Sequence, residues 1–269
     1  MIFSIYKIIT NFLYLPFLIY LILRLFKKKE DLKSLLEKNG FYSNKKPGGK
    51  LIWINATSIG ESLSTLPLIK KILLEFPNSK ILLTTSTQSA NKVMTNRRIT
   101  NLVLQYAPLD FDFIIKKFLK HWKPDICILI ESEIWPNLIC KVRQRKIPLI
   151  LLNGRMSDKS FKRWNFFRIV SKKLFKAFDL CLVQSDSAIK KYKQLGCNNA
   201  QFCGNLKFFA KQLPVERKNL KEFNKQTNKR TILLLASSHF NEEEIFVDTY
   251  KKLKKKNNKF IIGYRSEAY

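Results

Sequence analysis

Short apolar runs alternate with helix-length stretches over most of this chain, and that rhythm restricts the fold more than any other property of the sequence. Runs at 51–56, 80–85, 102–106, 125–130, 148–153 and 179–183 are each bounded by polar or breaker residues. Both faces of such runs read as buried, which predicts strands of a parallel sheet. Helix-like stretches lie between them at 61–75, 111–121, 135–145, 161–178 and 185–195. The predicted class is α/β, with a complete doubly wound parallel-sheet domain. A polar segment at 211–229 then breaks the rhythm and reads as a linker. The alternation resumes with an apolar run at 231–237, a helix at 242–256 and a strand at 260–264. One strand–helix–strand unit does not enclose a core of its own, so this second domain reads as only begun. The predicted organisation is an anchor at 1–28, a Rossmann-like domain at 29–210, the linker at 211–229 and the start of a second domain at 230–269.

The chain begins with an almost wholly apolar stretch, residues 2–26, interrupted by Lys7 and Pro16 and followed at once by Lys27, Lys28 and Lys29. Roughly 20 apolar residues cross a bilayer. The cationic cluster on one side argues for a membrane helix with its C-terminal side facing the cytoplasm. A cleaved signal peptide would carry its charge ahead of the apolar run, and a helix lying in the interface is the other arrangement open to this pattern. The 50 Lys and Arg against 20 Asp and Glu give a formal charge of +30. Such an excess attracts anionic partners, although the abundance of Lys, Ile, Asn and Phe also follows from an AT-rich coding bias. The sequence carries neither zinc-finger spacing nor an aromatic RNA-binding signature, and nucleic acid is not an expected partner. Five scattered cysteines without Cys-x-x-Cys spacing argue against a zinc cluster or a secreted disulfide framework.

Three strings fall where a doubly wound sheet binds its ligands, at the carboxyl ends of strands. Asn55-Ala-Thr-Ser-Ile-Gly-Glu-Ser62 follows the first strand. Gly60 allows close approach of a ligand, Ser58 lies beside it, and Glu61 stands at a helix start, where it is equally suited to a capping box with Ser58. Glu131-Ser-Glu-Ile-Trp-Pro-Asn137 follows the fourth strand and sets two carboxylates at the sheet edge. They suit either a ligand or a salt bridge. Arg155, after the fifth strand, is placed to pair with Glu131 or Glu133, or to hold a phosphate or carboxylate. Lys207 in Gly204-Asn-Leu-Lys207 lies just before the linker. Ser237-Ser238-His239 follows the first strand of the second domain, where its serines suit a helix cap better than a hydrolase.

Taken together, these strings resemble the bacterial 3-deoxy-D-manno-octulosonic acid (Kdo) transferases of lipid A assembly. The resemblance rests on WINATSIGES, LTTSTQSA, YAPLD, ESEIWPNLI, PLILLNGRMSDKSF, GNLKF and ASSHFNEEE, in that order from Trp53 to Glu244. It implies a membrane-anchored glycosyltransferase of the two-domain GT-B type, facing the cytoplasm from the inner membrane. It further implies transfer of Kdo from CMP-Kdo to a tetra-acylated lipid A precursor (lipid IVA), with neither cofactor nor metal. Glu61 then matches the catalytic base, Glu131 and Lys207 match positions that stabilise the transition state, and Ser58, Gly60 and Arg155 belong to substrate binding.

Two departures accompany the resemblance. Asn55 stands where the family usually has His, and Gly263-Tyr264-Arg265 replaces a Pro-Arg-His segment that helps to hold CMP, leaving Arg265 and Tyr264 as donor-side candidates. The Gly-rich and Asn-Glu nucleotide motifs of the donor domain lie beyond this text, which implies a C-terminally truncated transferase inefficient on its own. The alternatives are a membrane-bound remnant that binds only the lipid acceptor, and another membrane-associated GT-B glycosyltransferase.

Overall fold

The computed structural model describes residues 2–209, 216–228, 230–236, 238, 241–256 and 260–265. They divide into two compact units, Met1–Lys211 and Gln212–Tyr269.

In the first unit, helix α1 (Ile2–Phe26) and α2 (Leu32–Lys38) precede strand β1 (Leu51–Asn55). There follow α3 (Ile59–Ser64), α4 (Leu66–Glu75), β2 (Lys80–Thr85), α5 (Gln88–Thr95) and β3 (Leu102–Tyr106). The chain continues through α6 (Asp112–Trp122), β4 (Ile126–Ile130), α7 (Pro136–Gln144) and β5 (Leu149–Gly154). It closes with α8 (Asp158–Phe166), α9 (Arg168–Phe175), β6 (Leu180–Val183), α10 (Asp186–Gln194), β7 (Ala200–Phe202) and a 3₁₀ turn, Leu206–Phe209. The seven strands are parallel in the order β3-β2-β1-β4-β5-β6-β7. The expected α/β class with a doubly wound parallel sheet is therefore observed.

Alternation along β1 sorts the core into two layers. Trp53 points to one face with Leu129, Leu151 and Val183, under α6, α7, α9 and α10. Ile54 points to the other with Leu83, Ile130 and Leu152, under Ile69 of α4 and Met94 of α5. Fully burying one such side chain contributes about 1.5–3 kcal/mol, so a sheet covered on both faces forms the rigid part of this unit. Trp53 lies 4.5 Å from the Phe118 ring, centroid to centroid, and its indole N–H donates to Thr84 Oγ1 at 2.8 Å.

Several helix and strand boundaries differ from the sequence expectation for identifiable reasons. The stretch 61–75 is two helices, because Pro67 lacks the N–H that would continue α3 and instead sits in the first turn of α4. The stretch 161–178 breaks at Phe167, which leaves the helical region with φ −93° and ψ 47°. Helices α2 and α5 were not anticipated; Asp31 and Thr87 cap them by accepting the Ser34 and Ala90 N–H groups. Strand β7 was also unanticipated, being three residues long with two of them exposed.

Helix α1 is long and apolar enough to cross a membrane, yet one of its faces is docked on the domain over most of its length. The Tyr6 hydroxyl donates to Asp110 at 3.2 Å, and Lys7 pairs with Asp112 at 3.2 Å. Thr10 accepts from the Asn137 amide at 3.3 Å, the Tyr14 hydroxyl donates to Asn39 at 3.1 Å, and Arg24 pairs with Glu30 at 3.4 Å. From Tyr6 to Arg24 this seam runs about 27 Å at the helical rise. The opposite face, including Ile8, Ile9, Phe12, Leu15, Ile19 and Leu23, is exposed.

In the second unit, α11 (Arg217–Thr227) precedes β8 (Thr231–Ala236), α12 (Glu242–Lys256) and β9 (Phe260–Arg265), with β8 and β9 parallel. The polar segment read as a linker thus contains a helix, whose apolar Leu220 and Phe223 sit at i, i+3 spacing among charged residues. Ser237 and His239 lie outside the described residues. Ser238 donates to Glu243 at 2.9 Å, beside the start of α12.

Candidate active site

The strand order reverses direction between β1 and β4, from which the chain proceeds outward on opposite sides. In open α/β sheets, ligands bind at the carboxyl ends of the strands at such a switch point. Here those ends carry Asn55 to Glu61 after β1 and Glu131 to Trp135 after β4.

Glu61 occupies the third position of α3 and closes a capping box. Its backbone N–H donates to Ser58 Oγ at 3.3 Å, while its Oε2 accepts from the Thr57 N–H at 2.7 Å and the Ser58 N–H at 3.4 Å. The cap uses one carboxylate oxygen, and Glu61 remains partly exposed. Capping and a chemical role are therefore compatible at this residue. Gly60 lies beside it with open space where a side chain would stand.

Thr57 Oγ1 is 3.0 Å from Glu61 Oε2 and 3.1 Å from Glu133 Oε1. One hydroxyl has one proton and donates to a single carboxylate at a time. Every partner is satisfied when the second carboxyl is protonated and donates to Thr57. Burial assigns that proton to Glu133, whose carboxyl is pushed up to about 7 by desolvation and, further, by the charges of Glu61 and Glu131; the hydrogen bonds that Trp135 and Thr57 would donate to its ionised form oppose the shift.

Glu133 also accepts from the Trp135 indole N–H and, at 3.5 Å, from Asn55 Nδ2. Asn55 Oδ1 accepts from Thr84 at 2.7 Å, so a chain of hydrogen bonds leads from buried Trp53 through Thr84 and Asn55 to Glu133. This is the local consequence of Asn at position 55: its amide links the core to the site by donor and acceptor at once.

Glu131 and Lys207 are brought together at 3.0 Å, the carboxylate nearly buried at 12% exposure and the ammonium half exposed. Asn153, at the end of β5, holds the pair. Its Oδ1 accepts from the Leu206 N–H at 3.0 Å and its Nδ2 donates to Glu131 at 3.5 Å. Glu131 and Asn153 both have φ 60°. That left-handed conformation costs an ordinary residue roughly 1–2 kcal/mol, and residues held there cluster at functional sites.

Arg155 does not make the pair suggested by its position. Among the described residues its guanidinium forms no ion pair, and its side chain is exposed while its carbonyl accepts from Ser132 and Tyr192. Lys207 occupies the place beside Glu131 instead. Tyr264 and Arg265 complete β9, and their side chains lie outside the described residues. Thr57 and Trp135 were missed as site members, and Glu133 was noted as an edge carboxylate without a role. The double carboxylate in Glu131-Ser-Glu133 was the available signal, but only the fold shows that Glu133 turns toward Thr57.

A family model described as 3-deoxy-D-manno-octulosonic-acid transferase (kdotransferase) matches residues 33–210. A 3-deoxy-D-manno-octulosonic acid transferase of Rickettsia bellii is 36% identical over 250 residues, covering 91% of this chain and 59% of that protein. The enzyme of the same description from Haemophilus influenzae is 30% identical over 227 residues, covering 82% and 53%. This chain therefore spans a little over half the length of these curated relatives. Among solved structures, the Staphylococcus aureus MnaA–UDP co-structure superposes with a TM-score of 0.59 at 11% identity, over 82% of this chain and 62% of that one. At that identity the likeness is one of fold, and it agrees with the GT-B-type architecture.

Proposed function

The chain belongs to the 3-deoxy-D-manno-octulosonic acid transferase family, and from that membership we propose that it carries the acceptor side of Kdo transfer from CMP-Kdo to a tetra-acylated lipid A precursor (lipid IVA) in lipopolysaccharide synthesis. The observation that carries this reading is the convergence of Glu61, Glu131 and Lys207 at the switch point of one sheet.

In this mechanism an acceptor sugar hydroxyl lies against the free face of Glu61. The carboxylate takes the hydroxyl proton while the oxygen forms a bond to the anomeric carbon of Kdo. The bond from that carbon to the CMP phosphate breaks, and CMP leaves with the electron pair. A positioned base contributes about 10²–10⁴-fold. In its protonated form Glu133 orients Thr57 so that the threonine hydroxyl donates to Glu61. Lys207 supplies positive charge toward the anionic donor and leaving group, where a preorganised charge costs no rearrangement during reaction. Glu131 fixes Lys207, and Gly60 leaves room for the sugar. Ser58 shapes the same loop, Arg155 is free to meet a phosphate or carboxylate of a substrate, and Tyr264 and Arg265 are donor-side candidates.

The apolar outer face of α1 supports membrane attachment, and we place the protein at the cytoplasmic face of the inner membrane. The test is transfer of Kdo from CMP-Kdo to tetra-acylated lipid A precursor, with the chain assayed alone and with a donor-binding domain supplied. Transfer that falls in Glu61→Gln and Lys207→Met while lipid binding persists supports the reading; transfer unchanged in both variants refutes it.

A further inference from the structure

Beneath α1 lies a cavity of about 730 Å³, within the range of sites that enclose a small-molecule ligand. Leu13, Phe17 and Leu21 of α1 face Leu109, Phe111 and Leu138 across it. Its polar lining falls into two groups. Arg24, Glu30 and Lys38 form an ion-paired cluster, with Lys38 2.8 Å and Arg24 3.4 Å from Glu30. Asn55 and Thr57 are the residues bonded to Glu133 and Glu61, and Trp135 lines the same space. The apolar chamber thus reaches Thr57, whose hydroxyl is bonded to Glu61, the group to which the reacting hydroxyl is assigned.

We infer that this cavity receives a fatty-acyl chain of the glycolipid acceptor, an assignment that rests on the acceptor reading above. Three observations select an acyl chain over other apolar occupants. The wall of the cavity is a helix whose opposite face is bare and apolar, so a lipid surface that covers that face lies next to the chamber. Lys116, Lys117 and Lys120 of α6, with Lys141 of α7 and Arg145 just after it, line a shallow basic concavity; Lys116 and Lys141 share the single carboxylate of Asp112, so the surface keeps an excess of positive charge that complements anionic headgroups. The Thr57 and Trp135 lining sets the polar head of a bound glycolipid beside Glu61, with its chain running under α1. Insertion of one chain would also orient the sugar, and orientation of a reactant is worth several powers of ten in rate.

The test uses Trp135, which lines the cavity, as reporter. Titration of the protein with 12-bromododecanoic acid, without donor, is expected to quench tryptophan fluorescence saturably, and Trp135→Phe removes that signal. Ala107 also lines the chamber. Ala107→Phe fills it and weakens binding by about tenfold, because losing contact with roughly two methylenes already removes that much affinity. Ala107→Ser, of similar size, retains binding, and matched thermal unfolding of the two variants shows that the fold is intact. Tetra-acylated lipid A precursor displaces the probe at lower concentration than phosphatidylglycerol of equal chain length. Unsaturable quenching, quenching equal in Ala107→Phe, or equal displacement by phosphatidylglycerol would each overturn the assignment. Binding that persists in Glu61→Gln separates this result from the transfer reading, which can fail on its own.

Discussion

Lys207 Nζ lies 3.0 Å from Glu131 Oε1, joined across the sheet edge by the Asn153 side chain. The carboxylate is the buried member and the ammonium the exposed one, so the geometry presents the positive charge outward. Replacing Lys207 by Met is expected to lower kcat for the proposed Kdo transfer by about 10²–10³, the usual loss when one preorganised group is removed. Glu131→Gln keeps the shape but releases the ammonium, and its cost should overlap that of Lys207→Met rather than add to it. Single-turnover kinetics of the two variants and their double mutant make the comparison. Full additivity would mean that the residues act separately.

Glu61→Gln tests the proposed base directly. The amide still accepts from the Thr57 and Ser58 N–H groups, so the capping box and stability should change little. Transfer should fall by about 10²–10⁴ with the acceptor KM nearly constant. A variant that loses thermal stability but keeps its rate would leave Glu61 as a helix cap.

Gly60 separates a structural from a substrate role at the same loop. Open space surrounds the position a Cβ would take, and no positive φ is recorded there. Gly60→Ala in the first turn of α3 should therefore raise stability, by at most roughly 0.5–1 kcal/mol, the penalty of glycine in a helix interior. If a sugar approaches this surface, the same variant raises the acceptor KM. Greater stability with an unchanged KM would show that the acceptor lies elsewhere.

The sheet was legible because its strands are continuous apolar runs, buried on both faces, which periodicity reports directly. The Lys207–Glu131 contact was not legible in spacing: it depends on β5 lying beside β4, on Asn153 reaching both partners, and on Glu131 adopting φ 60°. The placement of Thr57 between two carboxylates depends likewise on β1 lying beside β4. Arg155 shows the converse. Its sequence position suited either carboxylate, but the bulge between Leu152 and Gly154 comes just before it and its side chain is exposed. The family motifs marked the loops, and the strand order decided which of their side chains meet.

Glu133 gives the stability a definite pH dependence. Its folded-state carboxyl is raised to about 7 from the ordinary 4.5, with burial as the leading cause. The folded protein thus binds this proton more tightly than the unfolded chain does. The stabilisation is fully present below about pH 4.5 and is lost as pH rises to about 7, by at most on the order of 3 kcal/mol. Asp110, pushed up to about 6 by burial against its hydrogen bonds from Leu138, Asn137 and Tyr6, has the same sign. Burial also pushes Asp112 upward, but Lys141, Lys116 and Lys7 outweigh it and hold that carboxyl at about 2, so its contribution is lost only in acid. Thermal unfolding should give a higher Tm at pH 5 than at pH 8, and Glu133→Gln should reduce the difference. A slope unchanged in that variant would exclude Glu133 as its source.

The two faces of α1 should fail in different assays. The outer face, with Phe12 at 80% and Ile19 at 51% exposure, is open to its surroundings, and each apolar side chain it buries in a bilayer surface contributes about 1.5–3 kcal/mol. Phe12→Glu with Ile19→Glu should therefore move the protein from the membrane to the soluble fraction while leaving its Tm nearly unchanged. The inner face instead holds Leu21 at 4% exposure and bonds Asp110 through the Tyr6 hydroxyl. Tyr6→Phe removes one donor from a buried carboxylate and should cost about 1–3 kcal/mol of stability without altering membrane association. Deleting residues 1–26 combines both losses, releasing the protein and lowering its Tm together, since Phe111 and Leu138 lose their cover. A helix that crosses the bilayer would give the opposite pattern for the inner face, because Tyr6 and Lys7 would then be far from Asp110 and Asp112. Fractionation and thermal unfolding of the three variants distinguish the arrangements: a Tyr6→Phe protein as stable as wild type would detach α1 from the domain.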